Sequence, residues 1–483
     1  FGSLTSDTDS DSIASDITAL ETALVDLAGS PDSDTLAAAV VTALDEVASG
    51  LRSTSSSLQS LRADADTEIA SDVDTVNQAL ATIADLNAAI VAGQARGEAT
   101  GDLEDQRTTA LETISGLMDV NWYTTSTGAL QVYTSSGVAL VDSSVHELSF
   151  DPVAEMTADT VTGGITVGGK DITGDIGSGA IGALLTLRDE TLPAVQDELD
   201  ELATGLIEAL NAVSNTGTAA PPSTTLTGTT EVAASDGFSA SGTTRIALVD
   251  DDGALVSYAD LDLSAYDTVG DLVTALDAID GVDASIDADG RLTLSSTVAG
   301  AGIAIGTLDG ETFDGETFSE AFGLGDVVTG TGAADIRVDA ALLADSTRLP
   351  TAILDETATA TGDLAITSGA STLADAYAEL FSASTDFAAA GTLSARSSDF
   401  AGYASSIVSG VATRASNAAS ALTTAETIES NLASTISSAS GVNLDEETAR
   451  ISDYQTLYSA AAQVIQTVDE MFATLLDMVD QAM

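Results

Sequence analysis

The sequence contains no cysteine, which excludes disulfides, thiolate metal sites and cysteine nucleophiles. Its single histidine, His146, rules out histidine triads and multi-histidine metal centres; beside Val145 and Glu147 it reads as a packing or surface residue of a strand. Basic residues are scarce: 13 against 76 acidic ones give a formal charge of −63, and Lys170 is the one lysine. A surface of that sign repels nucleic acid and anionic lipid. It stays hydrated at high salt, so a saline habitat and a plain compositional bias both fit it. Aromatics are 4% of the chain, so Ala, Leu, Val and Ile must fill the cores. No apolar run reaches 18 residues, hence no membrane span is expected, and no charged-then-apolar signal follows Phe1. The opening on Phe1 instead of Met predicts that an N-terminal part of the natural chain is absent here.

What remains is long enough, at 483 residues and 44% hydrophobic, for two to four domains. Residues 11–29 carry Ile13, Ile17, Leu20, Leu24 and Leu27 at helical spacing. Pro31 breaks that helix. A longer one follows over about 36–92, with Leu44, Leu51, Leu58 and Ala65 every seven residues and Ile69, Val76, Ile83 and Ile90 in a shifted frame. The step from Ala65 to Ile69 is a four-residue stutter, and the whole predicts a rod of roughly 85 Å. A helix over 103–117 leads to a hairpin at Thr127-Gly128, short β segments to about Asp175, and a helix over 191–213. Past a linker with Pro221-Pro222, residues 225–330 read as a small α+β insert with turns at Asp251-Asp252-Gly253 and Asp289-Gly290 and a helix capped by Thr268. Helices return over 372–390 and 397–437, then a turn at Ser438–Val442. The predicted class is therefore multidomain α+β. Residues 1–120 and 372–483 form a coiled-coil-like stalk, 121–224 a β-rich domain, 225–330 the insert, and 331–371 a return strand and linker.

The last helix carries the most specific pattern. Asn443 and Glu446 have the spacing of a capping box. Leu444 opens the helix, and Ile451, Tyr454, Tyr458, Ala461, Ile465, Val468, Phe472, Leu475 and Val479 alternate at three and four residues. That seam is the pattern of a coiled coil and calls for partner helices inside or outside the subunit.

Ser440-Gly441-Val442-Asn443-Leu444-Asp445-Glu446-Glu447, followed by Tyr454-Gln455 and Tyr458, resembles the C-terminal signature of bacterial flagellar axial proteins. Asp102-Leu103-Glu104-Asp105-Gln106-Arg107 resembles the leucine-x-aspartate-glutamine-arginine motif of the flagellar hook-associated protein 1 family. Gly182 to Asp189, with Arg188, then Leu192-Pro193, resembles that family's second internal block, and Asp335-Ile336-Arg337-Val338 its return strand. The insert falls where the family varies. The resemblance implies a structural subunit of the hook–filament junction, with no enzymatic activity and no cofactor or metal. It implies passage through the flagellar type III channel without a cleaved signal, and an extracellular place in the flagellum. The implied partners are the hook protein, the second hook-associated junction protein, further copies in a ring, and an export chaperone on the C-terminal helix. Another axial protein is the nearest alternative, and a secreted adhesin or a hydrolase a more distant one.

Other motifs reduce to structure. Asp287-Ala288-Asp289-Gly290 lacks the closing acid of a calcium loop and reads as a hairpin turn. Gly163-Gly164 and Gly300-Ala301-Gly302 lack a nucleotide fingerprint and read as turns. Asp105, Gln106 and Arg107 read as structural, with Arg107 expected to pair with a carboxylate and lock its helix to the stalk; Arg188 and Asp189 are read in the same way.

Overall fold

A computed structural model describes residues 12–308, 312–313, 315–440 and 444–481. The chain divides into two units, Phe1–Val411 and Ala412–Met483.

In the first unit, α1 (Ile13–Ala28) starts at a reciprocal Ser12–Ser15 capping box and buries Ile17, Leu20, Leu24 and Leu27. Ser33 caps α2 (Asp34–Arg96) by accepting the Leu36 N–H, and Gly97, at φ +75°, ends it in the left-handed conformation that glycine tolerates. The 63 residues of α2 make a rod of about 95 Å. Its buried positions step by four and three through Leu51, Ser55, Leu58, Arg62 and Ala65, with Asp66 buried beside Ala65, then by four twice, to Ile69 and Val73. That is the stutter, and the neighbours change there. Up to Leu58, α2 shares a core with α1 and with later helices; from Ile69 to Ile83 it belongs to a second core.

The second core is completed by α3 (Gly101–Leu117) and an antiparallel sheet of β1 (Val120–Thr124), β2 (Leu130–Thr134) and β3 (Ala139–Val141), in that order. Gly128, at φ +86°, turns the first hairpin. Short ladders at Leu148–Ser149, Thr166–Val167 and Lys170–Asp171 lead to α4 (Gly179–Thr186). A π-helical turn, Leu187–Thr191, joins it directly to α5 (Leu192–Ser214). Pro193 has no N–H to give the ladder, so the wider turn sits where a regular bond would be lost anyway.

A third core lies under two three-stranded antiparallel sheets. One orders β7 (Val282–Ile286), β8 (Arg291–Ser296) and β4 (Thr225–Glu231); the other orders β6 (Leu255–Asp262), β5 (Thr243–Asp250) and β9 (Ala301–Thr307). Between them runs α6 (Val269–Asp277), capped by Thr268 as its sequence predicts. Next come α7 (Phe318–Phe322), the Val328–Thr329/Arg337–Val338 pair, α8 (Ala340–Ala344) and α9 (Thr372–Ser382). A hairpin of β10 (Thr385–Phe387) and β11 (Arg396–Ser398) precedes α10 (Phe400–Ser440).

Two expectations need correction. The helix expected over 372–390 stops at Ser382, because Phe387 enters the first core from a strand and lies against Tyr403, with ring centroids 4.0 Å apart. Gly300-Ala301-Gly302 is a turn only at Gly300; the other two residues open β9. A Cβ on Gly302 would overlap the Pro222 carbonyl, which accounts for the glycine.

In the second unit α10 continues to Ser440, past the start of the turn expected at Ser438, and residues 441–443 lie outside the described residues. The last element is α11 (Leu444–Gln481). Large apolar side chains along both helices, from Leu422 to Met478, are exposed.

Candidate functional sites: an exposed helical seam and two buried polar nodes

The seam on α11 has the periodicity its sequence predicts, and it is uncovered. Tyr458 is 81% exposed, Ile465 and Phe472 each 63%, and Ile451, Tyr454, Val468 and Leu475 are exposed with them. Met471, Leu476 and Met478 widen the strip towards the C-terminal end. Covering each such side chain contributes about 1.5–3 kcal/mol, so seven of them supply on the order of 10–20 kcal/mol of gross association energy. Leu444 and Val479 belong to α11 by backbone; their side chains, and Asn443 with the expected capping box, lie outside the described residues. Glu446 meets Arg450 at 3.2 Å on an exposed surface.

The first polar node lies where α2 passes from one core to the next. Arg188, in the π-helical turn, is 1% exposed and donates to the Asp66 carboxylate at 2.5 Å, to Asp189 at 2.7 Å and to the Gly163 carbonyl at 3.1 Å. The other Asp66 oxygen accepts the Val153 N–H at 2.6 Å. Arg62, one helical turn before Asp66, donates to the carbonyls of Arg188, Thr157 and Thr160. Two cations and two carboxylates thus neutralise one another and stitch α2, the loop 150–163 and the π turn together. Burial disfavours the charge on Arg188, but its hydrogen bonds to Asp189 and Asp66 outweigh that and hold its pKa above the ordinary arginine value. Burial wins at Arg62, whose pKa is lowered despite nearby Asp189.

The second node corrects the expectation for Arg107. Its acceptors are neutral instead of a carboxylate: the Asn87 side-chain oxygen at 2.9 Å and the Gly128 carbonyl at 2.7 Å. Asn87 on α2 also donates to the Leu130 carbonyl and accepts the Leu130 N–H, so the β1–β2 hairpin is gripped at its turn and at the start of its second strand. Desolvation lowers the Arg107 pKa. Asp105 and Gln106, adjacent in sequence, are on the exposed face of α3.

Sequence reasoning gave no role to Arg62, Asp66 or Asn87. A signal was there: polar residues on the buried stripe of a long helix, between Leu58 and Ile69 and between Ile83 and Ile90, demand partners.

Other candidates resolve into local structure. His146 lies outside the named strands and meets Asp142 at 3.2 Å. Asp287 accepts the N–H groups of Asp289 and Arg291 within its hairpin turn. Among the described residues there is no cluster of three or more potential metal ligands, and no helix long and apolar enough to cross a membrane.

Comparison with known proteins gives a consistent order of matches. The family described as flagellar hook-associated protein FlgK helical domain matches residues 2–228. The flagellin hook IN motif matches 225–298, and the flagellar basal body rod FlgEFG protein C-terminal family matches 433–478. Flagellar hook-associated protein 1 of Salmonella typhimurium and that of Salmonella typhi are each 26% identical to this chain over 433 residues, covering 85% of it and 70% of the relative. The flagellar hook junction protein FlgK from Burkholderia pseudomallei is similar over 90% of this chain and 94% of its own, at 18% identity and a TM-score of 0.49.

Proposed function

Because the chain belongs to the flagellar hook-associated protein 1 family, we propose that it is a structural subunit of the boundary between hook and filament, exported by the flagellar type III apparatus and assembled axially. A structural role in the bacterial flagellum follows from the family itself. The finer reading rests on one observation above all: the uncovered seam of α11 lies within the region that matches the shared rod-protein C-terminal family.

A seam of that length stays soluble only until it meets partner helices. In this reading Ile451, Tyr454, Tyr458, Ile465, Val468, Phe472 and Leu475 pack against helices of the axial structure. The partners are the hook protein, the second hook-associated protein and further copies in a ring, with an export chaperone covering the seam beforehand. The two buried nodes serve as structure and take no part in any reaction.

Deleting the gene and locating a tagged copy by electron microscopy tests the assignment. Hooks that shed filament protein, restored by the tagged chain at the hook–filament boundary, are the expected result. Normal filaments in the deletion strain would sink it.

A further inference from the structure

Acidic residues outnumber basic ones 76 to 13 in this chain, so a guanidinium without an acceptor is an exception. Arg291 and Arg337 are two such exceptions: among the described residues neither side chain makes a hydrogen bond or ion pair. The Nε of Arg291 is buried without a partner, a condition that buried N–H groups seldom tolerate. Glu231 faces Arg291 across the β8–β4 ladder, yet no ion pair joins them. Both arginines line one cavity of about 500 Å³, where the insert meets α5 and the strand pair Val328–Thr329/Arg337–Val338. Arg291 reaches it from β8 and Arg337 from the strand pair, so two separate elements aim a cation at the same space.

The rest of the lining narrows what fits. Glu231, Asp326, Asp335 and Asp339 line the cavity too, so four carboxylates outnumber the two guanidiniums. A ligand with two or more negative charges is repelled there, whereas a single carboxylate can be held by the planar guanidinium forks. Asp335 accepts the N–H groups of Thr331 and Gly332, and Asp339 those of Ala341 and Leu342, which leaves each with lone pairs to spare. The Glu231 side chain accepts no hydrogen bond among the described residues. These acceptors call for a donor on the ligand, and a cationic donor bonds them most strongly. Ile207, Val328 and Val338 add an apolar stretch to the same wall.

We propose that this cavity binds a free α-amino acid with an aliphatic side chain. Arg291 and Arg337 take its carboxylate, Glu231 and Asp335 its ammonium, and Ile207, Val328 and Val338 its side chain. A site of this kind, largely formed in advance and lined by a few convergent polar groups beside an apolar wall, is the usual setting for a small ligand. The zwitterion has no net charge, so the acidity of the whole chain does not exclude it as it would a simple anion. The inference rests on the lining of the cavity and is independent of the chain's place in the flagellum.

Isothermal titration of the full chain with L-leucine, with its α-hydroxy analogue, in which a hydroxyl replaces the ammonium, and with inorganic phosphate tests the assignment. We expect saturable one-to-one binding of L-leucine, binding of the analogue weaker by about tenfold or more, and no binding of phosphate. Arg337 is exposed, so Arg337→Gln leaves the cores untouched. It should weaken L-leucine binding about tenfold or more, as should Arg291→Gln. Glu231→Gln should narrow the preference for L-leucine over the analogue, and Arg450→Gln, in the second unit, should leave the affinity unchanged. Far-UV circular dichroism verifies that each variant is folded. No binding of L-leucine, L-isoleucine or L-valine up to about 10 mM overturns the proposal. So does phosphate or the hydroxy analogue binding as tightly as L-leucine, or L-leucine binding indifferent to Arg337→Gln.

Discussion

Replacing Arg188 with methionine removes the cation from the first polar node and strands the Asp66 carboxylate, itself 1% exposed, with the Val153 N–H still donating to it. Breaking a buried pair from one side costs about 3–5 kcal/mol, because the surviving charge is left without its counterion. Asp189, 31% exposed, also loses its partner, but water can reach its carboxylate and offset part of that loss. Asp66→Leu should cost less, about 2–3 kcal/mol, because Arg188 keeps Asp189 and the Gly163 carbonyl. In the double variant no charge is stranded, and the remaining penalty is the unpaired Val153 N–H, about 1–3 kcal/mol. The losses should therefore be strongly non-additive, with coupling of about 2 kcal/mol or more. Urea unfolding followed by helical ellipticity measures the cycle, and hydrogen exchange at Val153 reads the loop locally. A loss below about 1 kcal/mol for Arg188→Met, or a double variant equal to the sum of the singles, would refute the reasoning.

Three further outcomes follow from other parts of the molecule. Arg107→Ala should cost about 1.5–3 kcal/mol, the range for hydrogen bonds to a charged group, and should speed amide exchange around Gly128; unchanged exchange there would dismiss the clamp. Ile465→Asp with Val468→Asp should leave urea stability of the isolated chain within about 0.5 kcal/mol while abolishing incorporation into flagella and chaperone capture; normal incorporation would mean that the seam is no interface. Asp326 is raised above the ordinary carboxylate range by desolvation, against the hydrogen bonds it accepts from Thr229 and Asn215. The folded state thus holds that proton more tightly than the unfolded chain, and the stabilisation is full below about pH 4 and lost as pH rises through the folded value. Relative to Asp326→Asn, the wild type should lose stability across that window; a difference constant from pH 3.5 to 7 would contradict the shift.

Periodic elements were readable because burial on one face forces a repeat. The rod over 36–92 is present and extends a few residues at each end, where Ser33 and Gly97 supply the caps. The Gly128 and Gly290 hairpins and the Thr268 cap were legible for a similar reason, since local chemistry specifies them. Contacts remote in sequence were not. Arg188 and Asp66 are 122 residues apart, and nothing local to either names the other. β9 was hidden because its Gly302 answers to Pro222, a residue far upstream. The helix over 372–390 failed where Phe387 is buried from a strand. The α11 seam was visible as a pattern, and the structure adds that its side chains are uncovered.

One helix serving two cores has a mechanical consequence. Between Leu51 and Ala92, α2 contains neither glycine nor proline, so no built-in hinge separates the core around Leu58 from the one around Ile69. Twist applied to one core is delivered along the shaft to the other. At the changeover Asp66 and Arg188 act as a key set into that shaft, preventing the loop 150–163 and the π turn from slipping around it. Within the first unit, that key couples the loop 150–163 and the π turn to the one shaft that both cores share.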